Sequence, residues 1–220
     1  MYLALCGVVS PISFGLALLF SGLFYPGYNQ LTQLVSELGA DGAPSASAIV
    51  MNLLGFGVTG ALILLFASGC YLGIRGQIWL RSAFALLLGI YGAAVMLQGI
   101  FSCDAGCLSV RTGNSSIHGL LGTVQGVSLM LALLVSVPLL RRRSDWKPFV
   151  WKYSLATLAA IFLIFVVINP YSGTLIGLNQ RVGYLAIFLW LEIVALRLYR
   201  LERLDRVEIT TSVPVLVRAP

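Results

Sequence analysis

Residues 28–44 read YNQLTQLVSELGADGAP, and they are the first polar interruption in an otherwise apolar chain. Residues 1–27 ahead of them carry no charged side chain, and neither do residues 45–74 behind them. A hydrocarbon layer needs about 20 apolar residues in a helix to cross it. A polar stretch bracketed by two such runs therefore reads as a connection between membrane helices. Within it, Leu31, Leu34, Val35 and Leu38 recur at helical spacing, which predicts a short interfacial helix with its apolar face on the membrane surface. Asn29 is placed to cap the start of that helix and Gly39 to end it. Thr32, Gln33, Ser36 and Glu37 then fall on the other face, toward a polar site completed by the helices that follow.

Outward from this stretch the pattern repeats. Of 220 residues, 59% are hydrophobic and only 10% charged, and no polar block is long enough to bury a core of its own, which excludes a soluble globular domain. The expected architecture is all-α: a polytopic membrane protein of six transmembrane helices in one bundle, with the short interfacial helix after the first. One domain takes residues 1–200, and 201–220 form a C-terminal tail. No Lys or Arg precedes the first apolar run, and Leu5 before Cys6 is not the small residue of a lipoprotein signal, so the first run is expected to be an uncleaved helix.

The six helices are expected over about 3–25, 47–74, 81–101, 118–140, 153–169 and 182–199. Their connections sort by charge. Arg75 and Arg81 flank the second, Arg141, Arg142, Arg143, Lys147 and Lys152 fill the fourth, and Arg197, Arg200, Arg203 and Arg206 lie at or beyond the last helix. The first, third and fifth carry only Arg111 and Arg181. By the positive-inside rule both termini are cytoplasmic, and the odd connections face outward from the cell membrane. The net charge of +6 is thus a topology signal and a contact with phospholipids, with no nucleic-acid partner expected.

On that topology the uncommon polar residues gather at the outer end: Ser36, Glu37 and Asp41, then Asn52, Gln98, Asp104, His118, Gln125, Asn169, Gln180 and Arg181. Polar groups at membrane depth are costly unless they pair or line a cavity, so the clustering suggests a site. Glu37, Asp104 and His118 are the groups able to move protons and form the candidate catalytic set, two carboxylates raising the histidine's pKa. Ser36, Asp41, Asn52, Gln98, Gln125, Gln180 and Arg181 are the candidate binding set. The competing structural readings are that helix ends lie near headgroups anyway, that the amides tie helices together, and that Asp104 and His118 cap and pair. Ser36, Ser115 or Ser116 would serve as nucleophile in a Ser-His-Asp arrangement, but no nucleophile-elbow sequence accompanies them. One histidine and no Cys-x-x-Cys leave too few ligands for a metal site, and no cofactor is expected.

Three further features stand out. Cys103 and Cys107 bracket DAG and are a candidate disulfide on the oxidising face, the alternative being two free thiols. Glu192 falls mid-span in the last helix, as in a proton-coupled transporter. The pairs Gly69-x-x-x-Gly73 and Gly122-x-x-x-Gly126 have the spacing that lets helices approach closely, most simply inside the bundle.

SELGADGAP, MNLLGFGVTG, GIFSCDAGC, IHGLLGTVQG and GLNQRVGYLAIFLWL, in this order and spacing, resemble the small prokaryotic membrane proteins grouped as domain of unknown function 998. A fainter similarity runs to the Frag1/DRAM/Sfk1 membrane proteins, some of which act in lipid-anchor remodelling or autophagy. The resemblance implies six helices and an outward polar cluster, and maps motif positions onto Ser36, Glu37, Gly39, Asn52, Asp104, His118, Gly119, Gln180 and Arg181. It implies no reaction. Ser102 departs from it, standing where proline is expected. The leading expectation is recognition or modification of a lipid or other amphiphile, with membrane lipids as partners. The alternatives are a non-catalytic subunit packed on a membrane protein partner and a small transporter using Glu192.

Overall fold

The computed structural model describes residues 2–107, 112–146, 148–168 and 173–212. Arg111, Lys147 and Asn169, as well as the end of the tail from residue 213, lie outside the described residues. Six long helices carry the fold: α1 Tyr2–Leu23, α2 Ser45–Gly73, α3 Ile78–Gln98, α4 Gly113–Arg141, α5 over 148–168 and α6 Ile176–Ser212. Five of them are long and apolar enough to cross a membrane, while α5 is a shorter apolar helix. The chain is a multi-pass membrane protein.

Local chemistry explains how these helices tolerate their irregularities. Pro11 cannot donate to the Gly7 carbonyl, and Ser10 Oγ does so instead at 3.3 Å, so α1 runs through its proline. In α2 the ladder widens to a π-helical stretch over Met51–Val58. The Leu54 carbonyl within it accepts from Ser13 Oγ of α1 and from Thr59 Oγ1, each at 3.1 Å. A second π-helical stretch, Leu163–Ile168, ends α5.

The helices close a ring in chain order. Each packs on its sequence neighbours, and α6 returns onto α1, whereas α4 and α6 make almost no direct contact. Glycines set the closest approaches. A Cβ on Gly60 would lie 2.4 Å from the Met96 nitrogen, and one on Gly69 2.8 Å from Leu3 Cβ, so α2 sits backbone-to-backbone on α3 and close to α1. In the middle of the bundle the fully buried Trp190 donates Nε1 to Ser154 Oγ at 2.9 Å, fixing α6 on α5.

The two ends of the ring differ. At one, Arg75 pairs with Asp205 at 2.8 Å, Arg142 donates to Gln77, and Arg143 forms a fork on Asp145, whose carbonyl also receives Arg197. The guanidinium of Arg143 holds the Asp145 carboxyl below the usual carboxylate range. At the other end, residues 24–44 lie as a cap against the 99–107 turn and the start of α6.

Several expected boundaries shift. The last helix continues well past Tyr199 to Ser212, its charged end held by the Arg75–Asp205 pair. The fourth begins at Gly113 rather than His118, because Thr112 is its N-cap and accepts from the Ser115 nitrogen at 3.2 Å. The interfacial α-helix over 28–39 does not form. Asn29 Oδ1 accepts from the Leu31 nitrogen and the Gln33 nitrogen donates to the Asn29 carbonyl, but the turn goes no further: the Leu34 and Val35 nitrogens donate to Glu37 Oε1 and Gln180 Oε1, and the Leu31 carbonyl accepts from the Leu178 nitrogen of α6. Only a 3₁₀ turn, Val35–Gly39, remains helical, and its Val35 and Leu38 are buried within the protein rather than laid on the membrane surface.

Candidate functional site

The cap is built from the polar residues of its own sequence. Glu37 turns back on the segment that bears it, accepting from the Leu34 nitrogen at 2.8 Å and from Gln33 Nε2 at 3.0 Å. Arg181 anchors the cap to α6, donating to Gln30 Oε1, to the carbonyls of Gln33 and Gly177, and to the Tyr28 hydroxyl at 2.6 Å. Tyr28 in turn donates to the Leu34 carbonyl at 2.7 Å. Burial pushes the Tyr28 pKa up, against the smaller opposing pull of Arg181, so the phenol stays a donor at neutral pH. Gln180 Oε1 receives the Val35 nitrogen at 2.6 Å, and Asn52 donates to the Gly39 carbonyl at 2.9 Å. A Cβ on Gly39 would sit 2.2 Å from Asn52 Oδ1. This glycine is therefore required by close approach, not by a left-handed helix end.

The third connection is built in the same way. Asp41 accepts from Ser102 Oγ at 2.6 Å, and its nitrogen donates to the Cys103 carbonyl at 2.8 Å. Asp104 accepts from the nitrogen and hydroxyl of Thr112 and donates its own nitrogen to Ser115 Oγ, bracing the start of α4. Cys103 and Cys107 form a disulfide, closed over Gly106 and Cys107 in left-handed conformations (φ +79° and +53°).

Beneath the cap lies a cavity of about 600 Å³, in the gap between α4 and α6. Five residues of the expected site line it: Ser36, Gln98, His118, Gln125 and Gln180. Glu37, Asp41, Asn52, Asp104 and Arg181 do not; they hold the cap and the turns. The expected proton-moving set is thus divided, with His118 on the wall and the two carboxylates elsewhere. The His118 ring packs edge-on to Phe56, and Nδ1 donates to the Phe101 carbonyl at 2.8 Å, satisfying an acceptor left over where α3 ends. The alternative nucleophiles Ser115 and Ser116 are occupied at the start of α4, by Asp104 and by the Thr112 carbonyl.

The wall shows what the sequence did not reveal. Tyr91 of α3 and Tyr184 of α6 both reach Gln125, and Tyr184 also reaches Gln180. These polar groups line up from α3 past α4 to α6, and Gln180 carries the row to the cap through the Val35 nitrogen. The signal for it was two tyrosines in apolar helices, since a buried phenol needs a partner. Phe56 and Phe165 enter the wall from the two π-helical stretches. Gly119, Gly122 and Gly126 give α4 a bare face here: Cβ atoms on Gly119 and Gly126 would meet nothing within 4 Å. The Gly122/Gly126 pair therefore makes room, whereas Gly69 and Gly73 pack against α1 and α6. Gln98 is 6% exposed, and its Oε1 is buried without a hydrogen-bond partner among the described residues.

Glu192 lines a separate recess of about 240 Å³ between α1 and α6, with Phe14, Leu18, Phe188 and Leu189, below Arg181 and Tyr184. Among the described residues, no three His, Cys, Asp or Glu side chains converge as a metal site.

The family model described as protein of unknown function (DUF998) matches residues 8–197. No curated protein and no solved structure matches the chain. The chain belongs to the DUF998 family.

Proposed function

From membership in a family without an assigned activity, we propose that this protein binds a lipid or other amphiphile in the cavity between α4 and α6. The protein would cross the membrane six times, with the cap on the outer face. Counted through its π-helical end, α5 spans about 30 Å at 1.5 Å per residue, close to the hydrocarbon thickness. An even number of crossings and a single basic end then set both termini inside.

The observation that carries the binding reading is Gln98. Gln98 lines the cavity, and its amide oxygen, shielded as the side chain stands and brought to the cavity by a turn of the amide, has no partner among the described residues; an unmet acceptor of this kind costs about 1–3 kcal/mol. A ligand donor would remove that cost, and the surrounding Phe56, Leu129, Met130, Ile161 and Ile187 would bury an apolar body. The test is the lipid that co-purifies in mild detergent, identified by mass spectrometry. Gly126→Leu should fill the cavity and lose that lipid while its melting temperature holds. An unchanged lipid complement in Gly126→Leu would remove the proposal.

A further inference from the structure

Resting on the binding reading above, we infer that the polar end this cavity accepts is uncharged: a hydroxyl or amide that donates a hydrogen bond, on a compact or single-chain lipid. The argument is one of charge placement. Among the described residues, the polar groups on the wall are neutral hydrogen-bonding side chains, namely Ser36, Gln98, Thr123, Gln125, Gln180 and the two tyrosines, together with His118, whose Nδ1 is already committed to the Phe101 carbonyl. The full charges nearest in sequence point into the cap instead. Arg181 spends three of its four donations there, Glu37 accepts two, and Asp41 and Asp104 are tied to Ser102 and Thr112.

A phosphate or ammonium head brought under the cap would lose water without meeting an opposite charge, and desolvating an unpaired ion is far more costly than desolvating a hydroxyl. The unmet group is moreover an acceptor, so it selects a ligand that donates. Gln98 Nε2 lies 3.4 Å from where a Gly122 Cβ would stand, which places the amide across the bare face of α4. That glycine face gives the head room to reach Gln98. The same amide can therefore receive a bond through Oε1 and return one through Nε2. Volume sets the size: about 600 Å³ holds roughly 20 methylene-sized groups at about 30 Å³ each. A long-chain alcohol fits within that volume, a monoacylglycerol slightly overfills it and reaches out through the open side, and a two-chain phospholipid exceeds it by far more.

The experiment compares probes of one chain length on purified protein by native mass spectrometry: monopalmitoylglycerol, palmitoyl lysophosphatidate and hexadecyltrimethylammonium. The expected order places monopalmitoylglycerol at least tenfold tighter than either charged probe. Gln98→Leu should cost it about tenfold, and Gln98→Asn less. Should Gln98→Leu fail to fold, Gly126→Leu, whose Cβ meets nothing within 4 Å and which lines the cavity, must abolish the same binding. If a charged probe binds as tightly as the monoacylglycerol and is lost in Gly126→Leu, the uncharged-head inference is wrong and the cavity reading stands. If Gly126→Leu leaves every probe bound, both fall.

Discussion

Gly69 and Gly73 are four residues apart, and so are Gly122 and Gly126, yet the two pairs do opposite work. At the basic end, a Cβ on Gly69 would strike Leu3, and one on Gly73 would lie 2.7 Å from Glu202 Oε1. At the capped end, a Cβ on Gly126 would enter open space and one on Gly122 would only touch an amide. One pair brings helices together, while the other keeps a wall thin. Identical spacing thus carries no meaning until the partner helix is known. The basic end is closed by ion pairs and small-residue packing. The capped end is closed by a loop whose polar groups satisfy one another, leaving a hollow beneath.

The largest contrast to test is sidedness. Cysteines introduced at Ser45 and Asn114 should react with an impermeant maleimide on intact cells, and one at Ser144 should not. Labelling at Ser144 would invert the proposed orientation and place the capped end inside. Next in size is Gly69→Leu, which forces a side chain into Leu3 and should destabilise by about 1–3 kcal/mol or more. Gly126→Leu, which meets no clash at Cβ, should be neutral or stabilising by up to about 1 kcal/mol of helix propensity, and equal thermal shifts for the two variants would erase the distinction drawn between the pairs.

Arg181→Ala should rank third. It removes the three donations that hold the cap, and hydrogen bonds to a charged group are worth about 1.5–3 kcal/mol each at most sites. Because water replaces part of that loss, a net cost near 2 kcal/mol is expected, with faster proteolysis inside residues 24–44 as the readout. A cap as protease-resistant as the parent's would show that Arg181 does not hold it.

The smallest effect concerns pH at the basic end. The folded Asp145 carboxyl titrates below its unfolded value, so its contribution is complete above the ordinary carboxylate range near 3.9 and is lost as pH falls through the lower folded value. For so exposed a pair the contribution is under about 1 kcal/mol. Melting curves of parent and Arg143→Gln should differ slightly at pH 7 and converge under strongly acidic conditions. A gap that widens on acidification would contradict the pairing.

Much of the site was legible one residue at a time and little of it as an arrangement. Ser36, Gln98, His118, Gln125 and Gln180 declared themselves as polar groups near one end of apolar helices, and all five meet at one wall. Glu37 and Asp104 declared themselves equally, but each is used within a few residues of chain to shape a turn. Sequence reasoning cannot rank a local partner against a distant one, because both satisfy the same hydrogen-bonding need. Tyr91 and Tyr184 stayed hidden in apolar runs because an aromatic ring contributes to hydropathy whether or not its hydroxyl is wanted.

The amino-acid sequence alone determined the class, the six apolar helices, one of them shorter than the rest, and the segregation of charge to one end, since each follows from the cost of placing polar atoms in hydrocarbon. It also determined which residues were expensive enough to need a reason. Only the tertiary structure decided that α4 and α6 stand apart, that two π-helical stretches aim phenylalanines into the gap, and that the 28–39 stretch forms a hydrogen-bonded cap in place of an amphipathic helix. Those outcomes depend on which of several equally polar or equally apolar neighbours a group meets. Burial fixes how many such contacts a chain must make, and packing geometry selects among them.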